Sequence, residues 1–406
     1  MKVAIVHDEL VRRGGAEQVV LDMHNAYPEA DIFTLCYNPE KTYEEFKAAK
    51  IFTSWFQYIG KSEKLIKLLY FPFAILAMRS FNLKGYDIVL ISTTHCGKFV
   101  RADKNASIVT YCHTPFRLAW RPFSYSIVKS SNLLIRNIFL FASRILRKLD
   151  LMAAKASDFY LTNSKEVKAR IEKSYNPDKP VSIINPAAKL DNFYISLADK
   201  DYYLVVSRLE DYKMVDLVVK SFNEMPDKKL IIVGTGSKEQ ELKAMAGSNI
   251  SFRKGQTSAQ LARLYAECKA LIFPQHEDYG ITPLEAAASG RPVIAYGVGG
   301  VRETMIPYAG DSNKCTAVFF EEQTTGSLIS AIKRSEQLEF DPIFIRSHAK
   351  LFSAPNFIAK LTSFVSKVYN RKMAANVNTL VSEAMETSEA KYQLELVNTY
   401  AGQKVA

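Results

Sequence analysis

Short apolar runs alternate with amphipathic stretches along most of the chain. The run KVAIVH (Lys2 to His7) reads as a buried strand, and GGAEQVVLDMHNAY after it reads as a glycine turn entering a helix. DIVLIST, SIVTYCHT, a helical stretch near Ile138 to Ala154, the strand DFYLTNS, the helix KEVKARIEKSY and the strand VSIINP follow. Strands that alternate with helices imply a parallel sheet with right-handed crossovers. Around Pro186 to Lys200 the periodicity fades, which places a linker there. A second series then begins: YYLVVSR, MVDLVVKSFNEM, KLIIVGTG, SKEQELKAMA, ISFRKG, SAQLARLYAEC, ALIFPQ, PLEAAASG and PVIAYG. The fold class predicted is α/β, two doubly wound Rossmann-like domains facing across a cleft, with ligands at the carboxyl ends of the strands. From about Arg371 the pattern turns polar and only moderately helical, as in an appended helix or a mobile tail.

Composition narrows the class. The 406 residues are 48% hydrophobic and 23% charged, the balance of a soluble globular protein. The opening MKVAIVHDEL reads as a first strand, its apolar run being too short for the core of a signal peptide. The longest apolar stretch, Leu65 to Met78, holds Lys67 and a proline and is shorter than a bilayer span. Cys36, Cys96, Cys112, Cys268 and Cys315 show no CxxC spacing, so neither a zinc site nor a disulfide framework is indicated. The net charge of +11 is concentrated between residues 51 and 150, with fifteen lysines and arginines against four acids. A basic segment rich in Phe, Leu and Ile suits an anionic lipid surface or a polyphosphate; it also fits a solvated face over an ordinary core.

Candidate chemistry clusters where strands end. Gly14 and Gly15 follow the first strand and precede a helix, where backbone amides can face phosphate, although GG is not a complete dinucleotide fingerprint. In SRLEDYKMVD, Arg208 ends a strand and Lys213 is placed at the start of the next helix. A forked guanidinium and an ammonium suit a diphosphate; the alternative is a surface pair bonded to Glu210 and Asp211. His113 ends SIVTYCHT, positioned to meet a sugar hydroxyl, and Arg117 and Trp120 follow it. In HEDYGITPLEAAASGRPVIAYGVGG, the amides of Asp278, Tyr279 and Gly280, with Ile281 and the helix start after it, form an anion pocket. Glu285 could then accept from the hydroxyls of a ribose, and Glu277 from a sugar beyond the diphosphate. Ribose, diphosphate, hexose is the order of a nucleotide-sugar.

These residues resemble the retaining glycosyltransferases of family 4, of GT-B fold. Glu277-DYGITPL-Glu285 matches the E-x7-E element, followed by the small-residue helix, G-x-P-V-I-A and G-x-G-G; SRLEDYK matches the Arg…Lys pair; GGAE, HTP and TNS also match. Within the family, YCHTPFRLAW and EDYGITPLEA are most similar to bacterial mannosyltransferases of O-antigen and exopolysaccharide assembly. The resemblance implies a hexosyltransferase that takes mannose from GDP-mannose to a lipid-linked or growing glycan. Alternatives are a UDP- or dTDP-sugar donor, or a non-catalytic sugar-nucleotide-binding scaffold. It implies that Arg208 and Lys213 hold the diphosphate with the amides of Gly14 or Gly15, Glu285 the ribose, and Glu277 and His113 the transferred sugar. No cofactor and no metal are implied. Retention would proceed by attack on the leaving-group face, with the departing phosphate helping to take the acceptor proton; this accounts for the lack of a glycosidase-like carboxylate pair.

The resemblance further implies an acceptor-side domain over 1–190, a donor domain over 195–352, a helix over 353–370 crossing back, and a tail over 371–406. INPAAKLDNF stands where a P-P-V-D-like run is usual, so Ala187 and Ala188 bear on the contacts between domains and not on the donor site. The expected partners are a nucleotide-sugar donor, a glycan or lipid-diphosphate-linked acceptor and an anionic membrane surface, with no nucleic acid. Lys61, Lys64, Lys67, Arg144, Arg147 and Lys148 lie among apolar residues and would make the membrane contact, peripheral at the inner face of the cytoplasmic membrane.

Overall fold

The computed structural model describes residues 1–58, 73–124, 132–197 and 200–375. Lys61, Lys64 and Lys67, most of the Leu65 to Met78 stretch and the tail beyond residue 375 lie outside the described residues.

Two parallel sheets organise the chain. The first holds β1 (Val3–His7), β2 (Asp31–Thr34), β3 (Ile51–Thr53), β4 (Ile88–Thr93), β5 (Ser107–Cys112), β6 (Phe159–Thr162) and β7 (Ser182–Ile183), in the order β3-β2-β1-β4-β5-β6-β7. The second holds β8 (Tyr203–Val206), β9 (Leu230–Val233), β10 (Ile250–Arg253), β11 (Leu271–Phe273), β12 (Val293–Tyr296) and β13 (Ala317–Phe320), in the order β10-β9-β8-β11-β12-β13. In each sheet the order reverses beside the first strand, between β1 and β4 and between β8 and β11. Loops leaving those strands diverge and open a crevice. The strands are near-continuous apolar runs because helices cover both faces; all five residues of β1 are buried. The expected architecture is therefore observed. Strands β2 and β3 were not anticipated, being only four and three residues long with half-exposed β3 positions. VSIINP pairs over only Ser182–Ile183.

The helices that carry cleft residues start from sequence signals. Helix α1 (Gly15–Ala26) begins at the glycine turn, with Gly14 as its N-cap. Helix α2 (Leu133–Ala154) is capped by Asn132, whose side chain accepts from the Ile135 amide. Helix α3 (Lys165–Tyr175) is capped by Ser164 and closed by Asn176 at φ +44°. Helix α4 (Val215–Asn223) follows β8, and α5 (Thr282–Ala288) follows β11 and opens with a proline in its first turn.

The chain passes between the domains at Ala187 and Ala188. Ala187 packs in the first domain's core and Ala188 in the second's, where its amide donates to the Phe352 carbonyl (2.9 Å). A helical segment over 354–375 then returns, and Phe357, Leu361, Val365 and Val368 bury one stripe in the first domain's core.

Candidate active site

The first domain's wall is built on β1. Asp8 leaves the strand buried, and its two oxygens accept from five donors: the Thr93 and Thr94 hydroxyls and the amides of Thr94, His95 and Gly97. Burial works against the Asp8 charge, but His95 and these donors outweigh it and hold the carboxyl well below its usual range. His95 lies between Asp8 (3.3 Å) and Glu9 (3.4 Å); burial opposes its charge, the two carboxylates prevail, and its pKa rises well above the ordinary value. Arg12 bridges Glu9 (3.1 Å) and the buried Glu17 (2.9 Å). The glycine loop rests on this frame. A side chain at Gly14 would meet Glu17 Oε2 at 2.5 Å, while one at Gly15 would meet Ile281 of the opposite domain at 3.8 Å. A larger residue at position 14 would thus displace the Glu17 carboxylate from its place, and Gly15 faces the cleft. Among the described residues, Asp8, His95 and Cys96 form a cluster tight enough to share a cation. The oxygens of Asp8 are already engaged, so the cluster reads as a clamp on the loop after β4.

His113 follows β5. Its Nε2 shares a hydrogen bond with Ser92 Oγ (2.9 Å), and its amide donates to the Thr93 carbonyl (3.0 Å). Burial and the neighbouring His7 push its pKa down to about 3, so the ring is neutral at physiological pH. Trp120 is an anchor and not a free carbohydrate platform: its Nε1–H donates to Asp150 (2.7 Å), which also accepts from Tyr175 (2.8 Å) and pairs with the buried Lys98 (2.8 Å).

The second domain's wall carries the cations. Arg208 is exposed after β8, with its guanidinium hydrogen-bonded to the Tyr212 hydroxyl. Lys213 does not begin helix α4. It ends a 3-10 turn over Asp211–Lys213, and Met214 at φ +52° separates the two. A left-handed methionine is strained by about 1 kcal/mol, and the turn it makes aims Lys213 inward. Glu210 is occupied by Ser237 (2.6 Å) and Asp211 by Lys238 (3.0 Å), so neither acid holds the two cations. Lys213 instead pairs with Glu277. Burial and the Arg208 charge pull its pKa down to about 8, and the Glu277 carboxylate opposes both.

Glu277 sits in the loop after β11, which lies directly on the glycines after β12. The Gly300 amide donates to the Glu277 carbonyl (2.8 Å), and a side chain at Gly299 would stand 2.4 Å from that oxygen. Gly280 takes φ +84° against the Phe273 ring. Glu285, in α5, accepts from Tyr265 through Oε2 (2.7 Å). Burial raises its pKa, and the tyrosine bond opposes that. Tyr279 is buried, and its hydroxyl donates to the Pro186 carbonyl (2.8 Å), tying the loop to the interdomain segment.

The cleft is bridged at this loop. Asp278 pairs with Arg170 of α3 (2.6 Å) and stands 3.7 Å from Arg117. His276 shares a bond with Glu166 of α3 (2.7 Å), and the Lys165 amide donates to Glu303 (2.7 Å). The fold thus brings Lys213 to Glu277 and Gly15 to Ile281. His113 and Glu285 are anchored within their own domains, each on a different wall. Sequence reading missed Asp8, Glu17, Glu166 and Arg170; only Glu17, in GGAE, lay inside a motif.

Comparison with known proteins fits this geometry. A family model described as Glycosyltransferase Family 4 matches residues 13–192, and one described as Glycosyl transferases group 1 matches residues 190–342. The alpha-1,3/1,6-mannosyltransferase ALG2 of Candida glabrata is 23% identical, covering 82% of this chain and 82% of that protein. The O-antigen chain mannosyltransferase RfbU of Salmonella typhimurium is 25% identical over 69% of this chain and 74% of that protein. Anabaena HepE, solved in complex with UDP and glucose, superposes with a TM-score of 0.64 at 16% identity, over 90% of this chain and 99% of that one. The chain belongs to the family 4 glycosyltransferases and has their GT-B fold. Its likeness to mannosyltransferases is not confined to the O-antigen enzyme, since ALG2 of Candida glabrata shares it.

Proposed function

We propose that this chain transfers mannose from GDP-mannose, with retention and without a metal, to a lipid-linked or growing glycan in the assembly of a bacterial surface polysaccharide. The observation that carries this reading is the contact of Lys213 with Glu277 beside Arg208. A cation pair for a leaving diphosphate adjoins a carboxylate for sugar hydroxyls. As the bond from the anomeric carbon to phosphate oxygen breaks, negative charge grows on the diphosphate, and Arg208 and Lys213 stabilise it where it forms. The amides of Gly14 or Gly15 and of Asp278, Gly280 and Ile281 add donors; Tyr279 contributes its amide, its hydroxyl being engaged. The free oxygen of Glu285 takes the ribose. Neutral His113 takes a hexose hydroxyl without acting as an acid. The acceptor hydroxyl attacks from the leaving-group face and passes its proton to the departing phosphate. Both relatives named above are mannosyltransferases, one of them an O-antigen enzyme.

The acceptor would be met at the inner face of the cytoplasmic membrane. No helix among the described residues is long and apolar enough to cross a bilayer. Helix α2, however, buries Ser143, Leu146, Asp150 and Ala154 on one side and exposes Leu134, Ile138, Phe141, Ile145 and Met152 on another. Arg144 and Lys148 are exposed beside them, while Arg147 is engaged with Trp120 and the Ala119 carbonyl. An apolar stripe flanked by cations suits an anionic bilayer surface.

The test is the melting temperature with GDP, UDP, dTDP and ADP, for the wild type and Arg208→Ala. A ligand that binds only the folded chain raises stability by about 2.7 kcal/mol at a hundred times its Kd. A shift with GDP that the variant loses supports the reading. A shift with UDP or dTDP instead transfers it to those donors, and no shift with any nucleotide counts against a nucleotide-sugar site in this chain.

A further inference from the structure

The loop that carries Glu277 is held by the other domain on both sides of that residue. His276, immediately before it, is bonded to Glu166, and Asp278, immediately after it, pairs with Arg170. Glu166 and Arg170 are one turn apart on α3 and pair with each other. One guanidinium therefore joins two carboxylates, one from each domain. These are not loose surface pairs: the Arg170 side chain is only 16% exposed and that of Asp278 only 21%. Burial alone would raise the Glu166 pKa, but the bonds from His276 and Arg170 prevail and keep it below the ordinary value. Glu303 adds a third tie by accepting from the Lys165 amide at the start of the same helix. Within its own domain, the backbone of the loop is fixed through the Gly300 amide.

We propose that Glu166 and Arg170 are positioning residues for transfer, and that the loop presents Glu277 to the sugar only while α3 holds it. This rests on the assignment of Glu277 to the transferred sugar. The side chains that hold the diphosphate and ribose, Arg208, Lys213 and Glu285, all lie in the second domain, so nucleotide binding depends on the clamp only through the backbone amides of the glycine turn and of the loop. Its loss separates the two functions: nucleotide still binds, but the sugar is no longer held for reaction. The fork of Arg170 spans two acids at once, which a lysine cannot reproduce.

The experiment compares the wild type with Arg170→Ala, Arg170→Lys, Asp278→Ala and the Arg170→Ala/Asp278→Ala double variant. The probe is whichever of GDP, UDP, dTDP and ADP shifts the wild-type melting temperature, with the mannose or glucose donor of the same base. Nitroxide labels on Lys104→Cys and Lys254→Cys, exposed residues of the two domains, report their separation. The five native cysteines are buried and do not compete for label. Arg170→Ala should lower kcat by about tenfold to a hundredfold, the scale of an ångström's misplacement, with nucleotide affinity within about twofold. Arg170→Lys should fall between, and the double variant should be no slower than the slower single one. The label distance should lengthen or broaden in Arg170→Ala. Unchanged kcat, an equal loss of nucleotide affinity, or additive effects in the double variant would overturn the proposal. If the label distance responds but no donor is turned over by the wild type, the transferase reading fails and the positioning role with it, leaving only a tie between domains.

Discussion

Gly300 lies directly against Asp278: a side-chain carbon at position 300 would stand 2.5 Å from the Asp278 carbonyl oxygen and 2.4 Å from the Cα of Tyr279. Both contacts are backbone, so neither can swing aside. Gly300→Ala must therefore lift the loop that carries Glu277. The expected cost is about 1–3 kcal/mol of stability, the range for overpacking, with transfer reduced by about a hundredfold. Gly326→Ala, in the first turn of a helix where no atom lies within 4 Å, is the control: it should leave transfer unchanged and the fold no less stable. Wild-type turnover in Gly300→Ala would show that the loop tolerates displacement.

Arg208 and Lys213 are coupled through charge. Burial and Arg208 lower the Lys213 pKa to about 8, and only the protonated form stabilises a leaving diphosphate. The value of kcat/KM, which reports the free enzyme, should therefore fall on the alkaline side, as pH rises through the Lys213 pKa. Arg208→Gln removes one depressing influence, so the alkaline limb should move to higher pH even as the overall rate drops. A limb that stays in place would assign the ionisation to another group.

The alternation of strands and helices was legible because strands covered on both faces are apolar throughout, and such runs stand out in KVAIVH and KLIIVG. The short, half-exposed β3 offers no such contrast. The chemistry around Glu277 was legible because strand, loop and helix are consecutive, so spacing along the chain maps onto spacing in space. The clamp was not. Glu166 and Arg170 lie in KEVKARIEKSY, a charged amphipathic helix like many others, and their partners are more than a hundred residues away. The turn at Lys213 is not legible in the sequence because nothing in DYKMVD marks Met214 as left-handed. Ala187 and Ala188 depart from the usual P-P-V-D-like run in the sequence, but only packing shows that they divide between the two cores.

His113 should make the fold acid-sensitive. Its pKa of about 3 lies below the ordinary value of about 6.5. Between those values the unfolded chain takes a proton that the folded chain refuses, so this residue costs stability progressively as pH falls from about 6.5. His113→Gln can keep a hydrogen bond to Ser92 but has nothing to protonate. Its melting temperature should decline less than that of the wild type between about pH 7 and pH 4, since every other group titrates alike in both. Parallel declines would mean that the ring is already protonated in the folded state.

The apolar stripe of α2 yields the most separable test, because its two ingredients respond to different conditions. Ile138 and Phe141 are 61% and 63% exposed, so replacing both by serine should alter folded stability by no more than about 0.5 kcal/mol. Each side chain is worth about 1.5–3 kcal/mol if it enters the acyl boundary, so the double variant should lose more than about tenfold in partition onto vesicles of mixed anionic and zwitterionic lipid. Arg144→Ala with Lys148→Ala should lose about 1 kcal/mol per charge at low salt, and the loss should vanish on zwitterionic vesicles or at high ionic strength, where the field is screened. The serine variant should remain impaired in both conditions, since burial of apolar surface is not screened. Unchanged partition of the Ile138→Ser/Phe141→Ser protein at unchanged stability would remove α2 from the membrane face, and any remaining association would have to come from elsewhere in the basic segment.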